Sequence, residues 1–174
     1  MTSPALVSRE EDEEKKRGKG KGKPRFNKVL LVAPTNTLSH WKNEIQKWTE
    51  LLPIPLKSRN PWELHYSCRL REVEKWGKKG GVLIVGETLF QKSGFDIVKR
   101  SQPDILVLDE AHTMLKNTST KLYKTLECIS TSRKILLTGS PMQNNVTEFY
   151  NMIEYIRPGI FGVETTAEFE NKYR

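Results

Sequence analysis

Cysteine is scarce in this sequence, and a low cysteine count indicates the redox environment of a protein. The 174 residues include only two cysteines, Cys68 and Cys128. Small proteins of oxidising compartments commonly rely on several disulfides, so a low cysteine count favours a reducing environment. The simplest interpretation is an intracellular protein.

Apolar residues are also below their usual share. They make up 36% of the chain, and 29% of the residues are charged. No run of about 18 apolar residues is present, so no membrane-spanning helix is predicted. The N-terminus has no apolar segment that could serve as a secretory signal. Much of the apolar shortfall lies in residues 1–27, and the rest of the chain is long enough for one domain with its own core.

An excess of basic residues indicates a polyanionic partner. The chain has 29 Lys and Arg against 21 Asp and Glu, which gives a net charge of +8. Such a charge favours nucleic acid over a membrane surface as the partner. The alternative is a soluble basic protein without a polyanionic partner.

Residues 1–27 form a charged tail, acidic over Glu10–Glu14 and then rich in Lys and Gly over Lys15–Lys23. Alternating Gly and Lys cannot bury enough apolar area to offset ordering entropy, so the tail is predicted to be disordered. Its basic part suits a nuclear-import signal or a DNA-backbone contact, with a solvated linker as the alternative. It is not a phosphate-binding P-loop, because Lys23 precedes Pro24 rather than Ser or Thr and no strand comes before it.

Residues 28–174 contain four short apolar runs that alternate with helical patterns. Short apolar runs are typical of strands buried on both faces. Their alternation with helices predicts an α/β fold in which a parallel sheet has helices on both faces. The four predicted strands are Val29–Ala33, Val82–Val85, Ile105–Leu108 and Lys134–Leu137.

The segments between these strands give predictions of their own. Trp41, Ile45 and Trp48 recur at helical spacing, which predicts an amphipathic helix whose tryptophans pack in the core rather than stack on bases. Residues 50–64 contain three prolines, which indicates an irregular connection. Residues 86–95 are predicted to form a loop or short helix. Further helices are predicted at about 69–76, 119–129 and 146–155, and from Thr166 onward.

Two adjacent carboxylates, Asp109 and Glu110, follow the third strand directly, and His112 comes two residues later. Open α/β sheets place their chemistry at this end of a strand. One carboxylate can hold Mg²⁺ through its waters while the other orients an attacking water, which is what phosphate cleavage requires. The plain alternative is an acidic strand end before a turn.

Polar residues follow two further strands. Thr35 comes after the first strand beside a helix start, where a hydroxyl can hold a phosphate. Residues 138–145 follow the fourth strand and read Thr-Gly-Ser-Pro-Met-Gln-Asn-Asn. Because the carboxyl ends of parallel strands share one edge of the sheet, these loops are expected to converge on one site.

Several segments together resemble motifs of the Swi/Snf-type helicase-like ATPases, over about residues 26–174. Val32–Trp48 resembles their motif Ia, Asp109–His112 matches their DEAH motif II, and Leu137–Asn145 resembles their motif III. Residues 26–28, residues 76–86 and the helix after motif III are most similar to the ATRX-like branch of chromatin remodellers. Residues 86–88, Gly-Glu-Thr, depart from the Gly-Tyr-Glu often found there.

The resemblance implies a RecA-like (P-loop NTPase) first motor lobe that uses ATP and Mg²⁺ to move along double-stranded DNA, shifting nucleosomes or other bound proteins. By the same resemblance, Asp109 would hold Mg²⁺, Glu110 would position the water, and His112 would couple the nucleotide site to motif III. Thr138, Gly139 and Ser140 would pass the nucleotide state to the DNA contacts. Gln143 and Asn144 would lie near the cleft between the lobes. Thr35, Lys116 and Asn117 would contact the DNA backbone.

Two parts of the family pattern are missing. Motif I, whose P-loop holds the triphosphate, should precede the first strand, where this sequence has the Gly-Lys tail. The second motor lobe should follow residue 174. The expectation is therefore a fragment of a motor, in which residues 28–174 form a partial first lobe. Its sheet should have an open apolar flank and fold poorly alone.

Three functions compete at this stage. The leading one is part of a DNA-dependent ATPase and chromatin remodeller. A second is a non-catalytic DNA- or chromatin-binding module derived from a motor lobe, which the missing P-loop favours. A third is a strand-separating DEAH-type helicase, against which the extension Gln143–Asn145 weighs.

Overall fold

A computed structural model of the chain describes residues 27–48, 53–56, 66–140, 146–163 and 165–173, with backbone only for 53–56 and 66–69. Five strands form one sheet in the order β2-β3-β1-β4-β5, and every neighbouring pair is parallel. The predicted parallel α/β fold is confirmed. The strands are β1 Lys28–Ala33, β2 Pro53–Leu56, β3 Gly81–Gly86, β4 Ile105–Asp109 and β5 Lys134–Leu137.

Seven α-helices lie within the described residues, and a 3₁₀ turn at Thr35–Thr37 leads into the first. None of these helices is long and apolar enough to cross a membrane. The helices are α1 Leu38–Trp48, α2 Tyr66–Lys79, α3 Glu87–Arg100, α4 Ala111–Leu115, α5 Lys121–Glu127, α6 Val146–Ile156 and α7 Thr166–Tyr173.

The two faces of the sheet are covered unequally. Alternate residues of a strand point to opposite faces, so Leu30 and Val32 contribute to one core cluster while Leu31 belongs to the other. The first and larger cluster takes in side chains of α2 to α6. The second is small and is covered by Leu38, Trp41 and Ile45 of α1.

All four predicted strands are confirmed, but the irregular connection predicted for residues 50–64 is wrong at 53–56. Those residues form β2, which pairs with β3 at the edge of the sheet. Proline lacks the N–H that a central strand needs on both sides, yet an edge strand tolerates it. Pro53 and Pro55 therefore led to the prediction of a loop, although pairing with β3 makes the segment a strand.

The loop or short helix predicted for residues 86–95 is instead the 14-residue helix α3. Its buried residues recur at helical spacing as Phe90, Gly94 and Val98. The Gly94 position needs a small residue. A Cβ there would lie 2.9 Å from side-chain atoms of Phe90 and Thr125.

The core placement predicted for both tryptophans of α1 is wrong for Trp48. Its side chain is 73% exposed, and its indole Nε1 donates to Glu44 on the same helix at 2.7 Å. The apolar stripe was real up to Ile45, but Trp48 lies one turn further along, at the end of the helix. Trp41 is half-buried against the small cluster.

The predicted open apolar flank is present at β5. This strand is an edge of the sheet, and Ile135 and Leu137 are 49% and 37% exposed. Both lie on the face that carries α1, because Ile135 pairs with Val107 of the small cluster. The opposite face of β5 is better held, since Lys134 Nζ donates to Tyr155 O of α6 at 2.8 Å.

Asp104 anchors the start of the central strand. Its Oδ2 accepts from the backbone N–H of Asn27 at 3.0 Å and of Lys28 at 2.9 Å. Asn27, assigned above to the tail, thus belongs to the fold, and residues 1–26 lie outside the described residues. Burial alone would raise the pKa of Asp104, but these two N–H groups and the charges of Lys28 and Arg133 lower it.

Replacing Asp104 with Ala should lower the free energy of unfolding by about 2 kcal/mol near neutral pH, because two backbone N–H groups lose a charged acceptor. Since the folded-state pKa is lowered, the contribution is present above about pH 4 and is lost as pH falls through the folded pKa. Chemical denaturation at pH 7 and pH 3 measures the difference between wild type and variant. An equal difference at both pH values would contradict the assignment.

The open flank predicts self-association. Changing Ile135 and Leu137 together to Glu should keep the chain monomeric at concentrations where the wild type associates, because the change removes an exposed apolar strand surface. Sedimentation velocity measures the mass distribution. Phe95→Glu, at a 55% exposed site on α3, is the matched control and should leave association unchanged. Equal association of wild type and the double variant would count against the flank as its cause.

Candidate functional site

The polar residues that follow β1, β4 and β5 share the carboxyl edge of the sheet. Strand pairing places Ala33 beside Gly86 and Asp109 beside Leu137. The paired strands therefore end at about the same height along the sheet. Thr35 and Thr138 thus follow strand ends on this edge, and Asp109 is the last residue of β4. This is the edge at which open parallel sheets bind ligands.

Asp109 is half-buried, and both of its carboxylate oxygens accept hydrogen bonds. Oδ1 accepts from the backbone N–H of Glu110 at 3.1 Å. Oδ2 accepts from the indole Nε1 of Trp41 at 2.8 Å. Two donors on different elements hold a carboxylate in one orientation more firmly than either would alone. No pattern in the sequence indicated the Trp41 contact, since helical spacing reports only the apolar face of the ring.

Glu110 lies at a sharp turn between β4 and α4. It has φ 52°, in the left-handed region, and is the non-glycine residue with positive φ in the described chain. That conformation costs an L-residue about 1 kcal/mol. Its carbonyl accepts from both the backbone N–H and the hydroxyl of Thr113, which helps to hold the turn. The turn separates Glu110 from the line of β4, and its side chain is 43% exposed.

His112 connects this turn to the segment after β5. Its Nδ1 lies 2.7 Å from the hydroxyl of Thr138 and 3.4 Å from Glu110 Oε2. The same Thr138 hydroxyl accepts from the backbone N–H of Ser140 at 3.2 Å. Among the residues that the structure describes, a Cβ built on Gly139 would meet no atom within 4 Å. The structure therefore brings Glu110, His112, Thr138 and Ser140 together, whereas Gln143 and Asn144 lie outside the described residues.

The acidic residues are better suited to bind Mg²⁺ through its water ligands than to enclose the ion with protein ligands alone. The part of the chain that is described has no cluster of three or more His, Cys, Asp or Glu that could enclose a metal ion. Mg²⁺ that bridges phosphates usually keeps several waters and needs only one or two carboxylates. Asp109 at the strand end, partly accessible and fixed in orientation, fits that requirement. No Gly-x-x-x-x-Gly-Lys-Ser/Thr segment occurs in the sequence to hold the phosphates themselves.

Of the three residues predicted to contact DNA, one lines a surface cleft and the other two are exposed but do not belong to its lining. Lys116 lines a cleft of about 220 Å³ between α3 and the α4–α5 region. Thr35 stands beside the start of α3, since a Cβ on Gly86 would lie 3.0 Å from its hydroxyl oxygen. Asn117 is exposed, and its Oδ1 accepts from the backbone N–H of Ser119.

Sequence reasoning missed the hydroxyl and amide groups on the walls of this cleft. One signal was available for Thr88: it follows β3 by two residues, just as Thr35 follows β1. The others lie in α3, in α4 and at the N-cap of α5, and they could be placed together only once these helices were packed. The polar residues concerned are Thr88, Gln91, Thr113 and Thr120.

Known proteins resemble the chain over nearly its whole length. It is 35% identical over 159 residues to Protein CHROMATIN REMODELING 20 of Arabidopsis thaliana, covering 84% of the chain and 10% of that protein. It is 31% identical over 170 residues to the Homo sapiens transcriptional regulator ATRX, covering 85% of the chain and 6% of that protein. It is 35% identical to the DNA repair and recombination protein RDH54 of Saccharomyces cerevisiae, covering 84% of the chain and 16% of that protein.

A solved structure shares the fold. The Sulfolobus solfataricus SWI2/SNF2 ATPase core in complex with dsDNA matches with a TM-score of 0.62 at 20% identity, covering 93% of this chain and 30% of that one. The chain thus spans a small part of the length of its relatives. The SNF2-related domain profile matches residues 3–174. With its α/β fold and DEAH-bearing strand end, the chain belongs to the SNF2-related family.

Proposed function

We propose that this chain is part of an ATP-dependent DNA translocase of the chromatin-remodelling type. The observation that carries the proposal is the Asp109–Glu110 pair at the carboxyl edge of the sheet, joined through His112 to Thr138. A site that only bound an anion would have no need of this connection. A motor does, because the state of its hydrolysis site must reach the surface that holds its track.

The roles of the acidic residues follow from their placement. Asp109 is fixed at the strand end, where its carboxylate can bind the waters of Mg²⁺, whose charge would neutralise the phosphates of ATP. Glu110 turns away from the strand and remains accessible, so its carboxylate can orient a water or take its proton. The short distance from His112 Nδ1 to Thr138 makes residues 138–140 sensitive to any movement of the turn at Glu110.

The proposed DNA contacts are Lys116, which lines the cleft, and the exposed residues Thr35 and Asn117. Lys116 offers a charge, while Thr35 and Asn117 offer uncharged groups, all on exposed positions. Such groups bind phosphates rather than base edges, so little sequence specificity follows. The net charge of +8 also favours binding to phosphates. Duplex DNA, in nucleosomes or free, is the partner of this proposal, and the nucleus is the compartment, consistent with the basic segment Lys15–Lys23.

Turnover is proposed to require groups beyond this chain. The Lys and hydroxyl of a P-loop supply the main contacts to the β and γ phosphates in this class of enzyme, and the sequence contains no such loop. A second motor lobe is the other expected partner. By itself the 174-residue chain should hydrolyse ATP very slowly. The same observation favours the second candidate, a basic DNA- or chromatin-binding module without catalysis.

Glu110→Gln separates the two candidates. In the full-length protein this change should reduce DNA-stimulated ATP hydrolysis by about 100-fold or more, because the amide cannot take a proton from water. Duplex binding should be unchanged, since Glu110 is not among the proposed DNA contacts. Steady-state hydrolysis and fluorescence anisotropy measure the two properties. Glu72→Gln, at an exposed site in α2, is the control and should affect neither. Full hydrolysis by Glu110→Gln would exclude the enzyme role assigned here.

The DNA contacts can be tested in the chain itself. Lys116→Ala should weaken duplex binding for all sequences and reduce the slope of log affinity against log salt concentration by about 0.9, the value for one lost phosphate contact. Anisotropy titrations between low and moderate salt give the slope. Lys78→Ala, which removes a lysine at the far end of α2, should lower affinity less and leave the slope nearer the wild-type value. An unchanged slope for Lys116→Ala would remove that residue from the interface.

A further inference from the structure

The Trp41 side chain makes two kinds of contact, one through the carbon face of its ring and one through its N–H. The carbon face of its ring packs against the small core cluster with Leu38 and Ile45. Its Nε1 donates to Asp109 Oδ2 at 2.8 Å, although the two residues are 68 positions apart. A phenylalanine could pack its ring against the same cluster but could not donate this hydrogen bond. The indole N–H is therefore accounted for by the carboxylate it holds.

The other tryptophan of α1 provides an internal comparison. Trp48 Nε1 also donates to a carboxylate, that of Glu44, at 2.7 Å. That pair is exposed and lies within one helix, so water competes for both groups and little stability follows. The Trp41 bond is half-buried and joins α1 to β4. Only the Trp41 bond links two elements that carry different parts of the site.

The path from Trp41 back to Thr35 is short and firmly held. The 3₁₀ turn Thr35–Thr37 continues directly into α1, so Thr35 and Trp41 share one nearly continuous helical segment. The turn is closed by two bonds to the carbonyl of Pro34, from the backbone N–H and from the hydroxyl of Thr37. A displacement of Thr35 is thus transmitted to the ring of Trp41 rather than absorbed by a loose linker.

We infer that Trp41 is a positioning residue that orients the Asp109 carboxylate and couples it to the segment bearing Thr35. Contact of a duplex backbone with that segment shifts the indole and, through its N–H, the carboxylate that is assigned to Mg²⁺. This is a second connection between the two sides of the site, separate from the one through His112 and Thr138. The coupling rests on the proposed function, whereas the positioning of Asp109 by Trp41 does not.

The test follows the indole N–H signals of the ¹⁵N-labelled chain by NMR, assigned from single Trp→Phe variants. The Trp41 signal should lie downfield in the wild type and move upfield in Asp109→Asn, because an amide oxygen is a weaker acceptor than a carboxylate. Addition of duplex DNA should shift the Trp41 signal again. The Trp48 signal is the matched control. It should respond to Glu44→Gln but to neither Asp109→Asn nor the duplex.

Each outcome decides one part of the inference. A Trp41 signal that ignores Asp109→Asn overturns the positioning role. If that variant does not fold, indole exchange with solvent in the wild type decides instead, and exchange as fast as that of Trp48 overturns the role. A signal that responds to Asp109→Asn but not to a duplex that anisotropy shows to be bound overturns the coupling. If no duplex binds at all, the proposed function and the coupling fail, while the response to Asp109→Asn still decides positioning.

Discussion

Parallel pairing on both sides of β1 is the constraint on which the rest of the structure depends. β1 pairs with β3 along its whole length and with β4 over four residues. Since all strands point the same way, the residues that follow them emerge at one edge. Thr35, Asp109 and Thr138 come from distant parts of the sequence, and only this shared direction brings their loops together. Asp104 reinforces it by binding the first N–H groups of β1.

The sheet is covered well on one face and sparsely on the other. The larger core includes side chains from five helices, whereas α1 alone covers the small cluster among the described residues. Apolar strand residues at Ile135 and Leu137 consequently remain exposed. The same asymmetry leaves α1 lying on the sparsely packed side. A helix with few neighbours can shift at lower cost than one inside a dense core.

The site is built from a few polar bonds between elements rather than from a dense acidic cluster. Trp41 fixes Asp109 from one side, and His112 connects the turn at Glu110 to Thr138 on the other. Each connection crosses between segments that follow different strands. Such bonds contribute modestly to stability, about 1 kcal/mol each. Their effect on orientation is larger, because a carboxylate with two fixed donors has little freedom to rotate. Geometry of this kind is what catalysis of phosphoryl transfer demands of a protein.

The sequence by itself determined four of the five strands, the family and the polar residues at the strand ends. Four apolar runs and the DEAH tetrapeptide are local signals, and each was found where predicted. The tertiary structure decided what depends on neighbours. β2 exists because β3 offers a partner to a proline-containing edge segment, and α3 tolerates Gly94 because Phe90 and Thr125 fill the space beside it. Trp41 and Trp48 fit one helical stripe, yet Trp41 contacts Asp109 and Trp48 is exposed to solvent. Periodicity predicts which face of a helix is apolar, but it does not predict how much of that face the sheet covers.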